Sequence, residues 1–93
     1  MKLSIIVCTY NRAYSLTPCL DSIVAAITAL PSPDAEIVIV NNASTDNTQD
    51  VLQHWANGCA IPMQLLYEAK KGLAAARNCG IKAAGGDIIV FYR

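Results

Sequence analysis

The amino-acid sequence predicts an α/β domain in which a parallel sheet of about four strands carries helices on its faces. Three observations point there. Four short apolar runs rich in β-branched residues recur along the chain, segments with helical spacing separate them, and the connections are short. The runs also lack apolar/polar alternation, which is the pattern of strands covered on both faces.

The first run, Leu3 to Val7, is followed by the polar stretch Thr9 to Arg12. Leu16, Leu20, Ile23, Val24, Ile27 and Leu30 then recur at three- and four-residue steps and predict a helix. Ser15 or Thr17 would cap it, with Pro18 in the first turn, and Pro31 and Pro33 would end it. The second run, Ile37 to Val40, stops at the turn-rich NNASTDN. Asp46 is expected to cap the next helix, with Gln49 as its capping-box partner. Val51, Leu52 and Trp55 form that helix's buried stripe, and Gly58 closes it. Met63 to Tyr67 reads as a third strand, Gly72 to Ala84 as an alanine-rich helix ending near Gly85-Gly86, and Ile88 to Phe91 as a fourth strand. No linker, repeat or low-complexity run divides residues 1–93, so they read as one unit.

Composition narrows the classes of function. Hydrophobic residues make up 54% of the chain and charged residues 15%, against roughly a quarter charged in an average domain. No apolar run approaches the roughly 20 residues of a membrane-spanning helix. Charged and polar residues interrupt the N-terminus too early for a secretory leader. Seven basic residues balance seven acidic ones, so there is no electrostatic footprint for nucleic acid or an anionic membrane. Cys8, Cys19, Cys59 and Cys79 form no C-x-x-C pair and have no histidine at metal-ligand spacing. They read as free thiols, with the cytoplasm as the expected location. His54, alone on a helix of mixed polarity, reads as solvated.

The polar segments Thr9–Arg12 and Asn41–Asp46 both follow strands, and open α/β sheets bind ligands beyond the carboxyl ends of their strands. A polar loop is also what any strand-to-helix junction needs. Three segments taken together favour the ligand: SIIVCTYNR (Ser4 to Arg12), EIVIVNNASTD (Glu36 to Asp46) and KGLAAARNCGIKAAGGDIIVF (Lys71 to Phe91). In this order and spacing they resemble the N-terminal half of family 2 glycosyltransferases, and the resemblance covers nearly the whole chain.

That resemblance implies a Rossmann-like, three-layer A-type fold with strand order 3-2-1-4. It also implies a nucleotide-sugar site built from Thr9, Tyr10, Asn11, Arg12, Asn41, Asn42, Gly72 and Arg77. Tyr10 offers a flat ring for a base, and Arg12 is permanently cationic and could face a diphosphate. The residues alone equally allow Tyr10 to pack on a helix and Arg12 to be solvated. Arg77 matches a basic residue near the donor diphosphate, and Gly72 permits an unusual backbone angle before a helix whose free amides could face an anion. Many relatives carry Asp-Asp or Asp-Asn where this chain has Asn41-Asn42, and an acid there accepts a hydrogen bond from uracil or contacts the ribose. An amide brings no charge and donates as well as accepts. A UDP-sugar remains the expected partner. Asn78 is expected to tether neighbouring backbone, and Ala74 to Ala76 to let their helix pack closely on the sheet.

The resemblance further implies transfer of a hexose from a nucleoside diphosphate to a carbohydrate or lipid-linked acceptor. It implies a divalent cation, magnesium or manganese, on an Asp-x-Asp-type cluster directly after the fourth strand. Here that strand continues as Ile-Val-Phe-Tyr-Arg, and Asp87 lies before it. The expectation is a chain truncated ahead of the metal site, holding no metal by its own residues and retaining at most donor-nucleotide binding. An apolar fourth strand at the sheet edge is a template for association, so a homo-oligomer through Ile88–Phe91 is expected. The alternative is a catalytically inactive nucleotide-binding or interaction domain. A dinucleotide-dependent oxidoreductase is disfavoured because no G-x-G-x-x-G follows the first strand. A response-regulator-like domain is disfavoured because that strand is followed by no acidic residues.

Overall fold

A computed structural model describes residues 2–30 and 34–92. The elements alternate without exception: β1 (Leu3–Thr9), α1 (Ala13–Thr28), β2 (Ala35–Asn41), α2 (Thr48–Asn57), β3 (Met63–Tyr67), α3 (Leu73–Ala83) and β4 (Ile88–Tyr92). All pairings are parallel and the sheet order is β3-β2-β1-β4, as the resemblance implied. The chain therefore steps outward from β1 to β3 and then returns across the sheet to pair β4 with β1.

That reversal decides which face each helix covers. Right-handed crossovers put α1 and α2, which step one way, on one face, and α3, which steps back, on the other. Packing agrees. Val7, Ile37 and Ile39 share a core with Leu16, Leu20, Ile23 and Ile27 of α1 and Leu52 of α2. On the opposite face Gly80 of α3 lies so close to β1 that an added Cβ would stand 2.6 Å from Ile6 Cγ2. Ala76 beside it is fully buried, whereas Ala75 is half-buried and Ala74 exposed. Close approach thus rests on Ala76 and Gly80, and the alanine run contributes less than its composition implied. β2 is buried along its whole length, as expected of a central strand without alternation.

Two helix starts differ from expectation. α1 begins at Ala13, ahead of Ser15 and Thr17, and Pro18 is inside the helix. The Arg12 carbonyl accepts from the Ser15 amide at 3.0 Å, so the first turn closes as soon as the β1 loop ends. Pro18 and Tyr14 are both exposed, leaving the carbonyl that Pro18 cannot serve on the watered side of the helix. In α2, Asp46 accepts from the Thr48 amide at 2.9 Å and from the Thr48 hydroxyl, so the carboxylate does meet the helix start. Gln49 forms no capping box, because its Oε1 accepts from Asn41 Nδ2 at 2.8 Å. Pro31 and Pro33 lie outside the described residues.

At the amino ends of the strands, Glu36 anchors a polar network that composition gave no reason to single out. Its carboxylate is 6% exposed and accepts from Ser4 Oγ at 2.6 Å, the Gly85 amide at 2.6 Å and Gln64 Nε2 at 3.2 Å. Ser4 Oγ in turn accepts from the Gly86 amide at 2.8 Å. These bonds, the Ser4 hydroxyl first, hold the Glu36 carboxyl below its ordinary pKa. The network fastens the α3–β4 connection at the end of the sheet away from the polar loops. Asp87 accepts from the Lys2 amide at 3.1 Å at the same end, far from the carboxyl ends of the strands.

Candidate functional site

The carboxyl ends of β1 and β2 deliver Thr9–Arg12 and Asn41–Asp46 side by side, because β1 and β2 pair in register through Thr9 and Asn41. Asn11 joins the two loops. It has φ of 48°, a left-handed conformation that asparagine tolerates better than most residues. Its Oδ1 accepts from the Thr45 amide at 2.7 Å and the Asp46 amide at 3.2 Å, and its own amide donates to Ser44 Oγ at 2.9 Å. The Asn11 side chain is thereby spent on the β2–α2 loop. The Asn41 amide group is spent too, on Gln49 Oε1 and on the Ser44 amide at 3.2 Å, and the residue is buried.

Asn42 reaches the other way. Its Nδ2 donates to the carbonyls of Glu68 at 3.1 Å and Lys70 at 2.8 Å, and its Oδ1 accepts from the Gly72 amide at 3.1 Å. Gly72 has φ of 132°, a conformation that L side chains rarely adopt, and α3 starts directly after it. Above these ties opens a cleft of about 410 Å³, within the usual range for small-molecule sites. Cys8, Thr9 and Ala76 line it from the sheet and α3, Gly72 and Leu73 from the α3 N-terminus, and Tyr10, Arg12 and Lys71 from the loops. Lys71 Nζ lies 3.3 Å from the Tyr10 hydroxyl and 5.2 Å from the ring centroid. The ammonium therefore sits nearer the hydroxyl end than the middle of the ring, which leaves much of the ring face open.

A second cleft of about 600 Å³ continues from the first and shares Cys8, Thr9, Arg12 and Leu73 with it. It lies beyond the top of β1 and β4, where the strand order reverses, which is the general ligand position in open α/β sheets. Arg77 lines it with its guanidinium carbon 5.2 Å from the Phe91 ring centroid, a cation–π contact that ties α3 to β4. Among the described residues no carboxylate lines either cleft, whereas Arg12, Lys71 and Arg77 do. Between the clefts Thr9 is 4% exposed, and its Oγ1 is the buried side-chain oxygen without a hydrogen-bond partner among the described residues. Such an orphan is rare in native structures, where a water, an ion or a ligand commonly supplies the partner. Burial raises the pKa of the neighbouring Cys8 thiol, with nearby Arg77 opposing and Cys79 adding to the rise.

Thr9, Tyr10, Arg12, Asn42 and Gly72 thus meet at the first cleft, Arg77 joins them at the second, and Asn11 and Asn41 brace the loops behind. Asn78 is exposed on α3, away from both clefts. Lys71, Cys8 and Leu73 were not singled out from the sequence. Lys71 stands next to Gly72 in the third motif, but its partner Tyr10 is 61 residues away and only the fold brings them together.

Residues 4–92 match the family model for glycosyl transferase family 2. The chain belongs to that family. A glycosyltransferase of Nostoc sp. is 34% identical over 91 residues, covering 98% of this chain and 27% of the relative. The poly(ribitol-phosphate) β-N-acetylglucosaminyltransferase TarS of Staphylococcus aureus is 32% identical over 91 residues, covering 98% of this chain and 16% of its own length. Among solved structures, the mannosyltransferase PcManGT of Pyrobaculum calidifontis, in complex with GDP-Man and Mn2+, superposes with a TM-score of 0.83 at 32% identity, covering 94% of this chain and 25% of that one. S. aureus TarS 1-349 in complex with UDP also gives 0.83, at 29% identity, covering 99% and 27%. The fold of this family 2 chain is the A-type fold of those neighbours, and it spans about a quarter or less of their length.

Among the described residues no three histidine, cysteine or carboxylate side chains converge as a metal site. The cationic lining of the two clefts does not fit a divalent ion held by this chain's own groups. No described helix is long and apolar enough to cross a membrane.

Proposed function

We propose that this chain is the donor-binding portion of a glycosyltransferase, holding the nucleoside diphosphate of a sugar donor, a UDP-sugar foremost, in the two continuous clefts. The observation that carries the reading is the carboxylate-free groove lined by Arg12, Lys71 and Arg77, with the unpartnered Thr9 hydroxyl buried between its halves. The open ring face of Tyr10 suits a stacked base in the smaller cleft. Arg12, shared by both, suits the diphosphate, and the α3 N-terminus adds its free amides. Arg77 faces the continuation of the groove, where the diphosphate-linked sugar would extend. The neighbours solved in complex with UDP and with GDP-Man support a nucleoside diphosphate as the ligand class.

In the whole protein the reaction is hexosyl transfer to a carbohydrate or lipid-linked acceptor. A divalent cation supplied there would neutralise charge on the leaving diphosphate, and residues outside this chain would hold it. The four free thiols support a cytoplasmic location. The alternative of a catalytically inactive nucleotide-binding domain shares the same groove and is separated from transfer only by assay of the whole protein. Calorimetry of this chain with UDP, GDP and NAD, with and without manganese, tests the reading. Nucleoside diphosphate binding with little metal enhancement is expected, and tight NAD binding without diphosphate binding would overturn it.

Self-association through β4 is part of the same proposal. Ile88 to Tyr92 remain 38–44% exposed and pair with β1 on one side alone. Parallel pairing of further chain onto that edge would satisfy its backbone groups. Sedimentation equilibrium should show a concentration-dependent dimer, and a monomer at every concentration would refute it.

A further inference from the structure

We infer that Asn42 is a positioning residue, which builds the wall of the nucleotide cleft by holding the Glu68–Gly72 loop. The inference rests on the nucleotide-binding reading of the cleft and assigns this residue its part in it.

The side chain is buried, 7% exposed, and its hydrogen bonds have a polarity that an amide alone can meet. Both protons of Nδ2 point at backbone carbonyls, those of Glu68 and Lys70, while Oδ1 receives the Gly72 amide. An ionised aspartate at this position would offer Gly72 an acceptor but set its charge against two carbonyl oxygens and push the loop away, since a carboxylate accepts and does not donate. Serine or alanine would leave the carbonyls without partners. The amide common to the turn at the end of β2 therefore has a local reason: it closes a three-point tie across 26 to 30 residues of sequence.

What the tie holds is the cleft wall. Lys70 and Gly72 are pinned on either side of Lys71, which restricts where the lysine stem leaves the backbone. From there the ammonium reaches the Tyr10 hydroxyl and bridges the mouth of the cleft from the β3–α3 loop to the β1–α1 loop. The order of action runs from Asn42 to the loop, from the loop to Lys71, and from Lys71 to the Tyr10 ring. Both Nδ2 protons are engaged, while Oδ1 accepts from the Gly72 amide and keeps its second lone pair at the edge of the cleft that Asn42 lines.

The test uses the 93-residue chain, nuclear magnetic resonance and UDP. Without ligand, Asn42→Ala and Asn42→Asp should speed exchange of the Gly72 amide about tenfold or more, because its acceptor is lost or repelled by its surroundings. In titrations both variants should weaken UDP binding about fivefold to tenfold, as expected for a lost set of buried hydrogen bonds. Lys71→Met should weaken it by a similar factor, and the double variant Asn42→Ala, Lys71→Met should lose no more than the worse single change, because the two act in series. Fully additive losses would overturn the inference, and so would unchanged Gly72 exchange. If the Asn42 variants fail to fold, the wild-type chain still decides. Its Asn42 side-chain NH2 signals should exchange slowly with or without UDP, and fast exchange would show that the tie to the Glu68 and Lys70 carbonyls is not formed. Absence of any UDP binding by the wild type would sink the nucleotide reading, while the ligand-free exchange measurement still decides the positioning role.

Discussion

Replacing Glu36 by glutamine tests whether the polar network at the amino ends of the strands stabilises the fold. The substitution keeps shape and removes charge. Oε2 accepts from both Ser4 Oγ and the Gly85 amide, so the glutamine oxygen must take that place and its NH2 must face Gln64 Nε2. Gln64 cannot turn to help, because its Nε2 also donates to the Ala83 carbonyl at 2.9 Å. Two charge-assisted bonds become neutral, each about 1 kcal/mol weaker, and two donors meet at a cost of about 1–3 kcal/mol. The sum, about 3–5 kcal/mol, is a large share of the roughly 5–14 kcal/mol expected for a chain of this size. Urea unfolding followed by the single tryptophan, half-buried Trp55, measures it. The pH dependence gives the sign. The folded pKa of Glu36 is lowered from its ordinary 4.5, so its stabilisation is present above 4.5 and is lost as pH falls through the folded value. Wild type should weaken on acidification below 4.5, and Glu36→Gln should weaken less, so that the two approach each other in acid. Equal stability at pH 7, or the same acid slope in both, would refute the account.

Three further outcomes follow from the same structure. Gly80→Ala should destabilise the fold by about 1–3 kcal/mol, because the new methyl stands 2.6 Å from the buried Ile6 Cγ2 and the core must shift; chemical unfolding measures it. Gly72→Ala meets no atom within 4 Å, so its cost of about 1–3 kcal/mol should come from φ of 132° alone, and Gly72→Ser should cost the same by thermal melting. Cys8 should alkylate more slowly than an ordinary thiol near neutral pH, because burial raises its pKa; UDP should slow it further, as read by mass spectrometry of the peptide carrying it.

The comparison of sequence with structure divides along physical lines. Every strand and helix was legible from local signals: short apolar runs rich in β-branched residues for the strands, and three- and four-residue apolar spacing or alanine-rich sequence for the helices. Boundaries moved where a partner distant in sequence intervened. α1 starts at Ala13 because the preceding loop has already closed onto Ser44 to Asp46, and Gln49 leaves the capping box for Asn41. Arg12, Tyr10 and Gly72 could be chosen as cleft residues because the family resemblance marked them, and their intrinsic chemistry fits that place: a fixed charge, an aromatic face, freedom of backbone. Lys71 could not, since an exposed lysine gains its place only by meeting Tyr10.

The sequence by itself determined the family, the alternation of strands and helices, and the end of the sheet on which the polar loops gather, because motifs and periodicity are carried by neighbouring residues. The tertiary structure alone decided which polar groups are spent and which are left over. Asn11, Asn41 and Asn42 look alike as turn amides, yet their protons and oxygens are consumed by partners up to 35 residues away, while the hydroxyl of Thr9 is buried with none. Hydrogen-bond satisfaction is a property of three-dimensional neighbourhoods, so only the folded chain reveals which groups remain for a ligand.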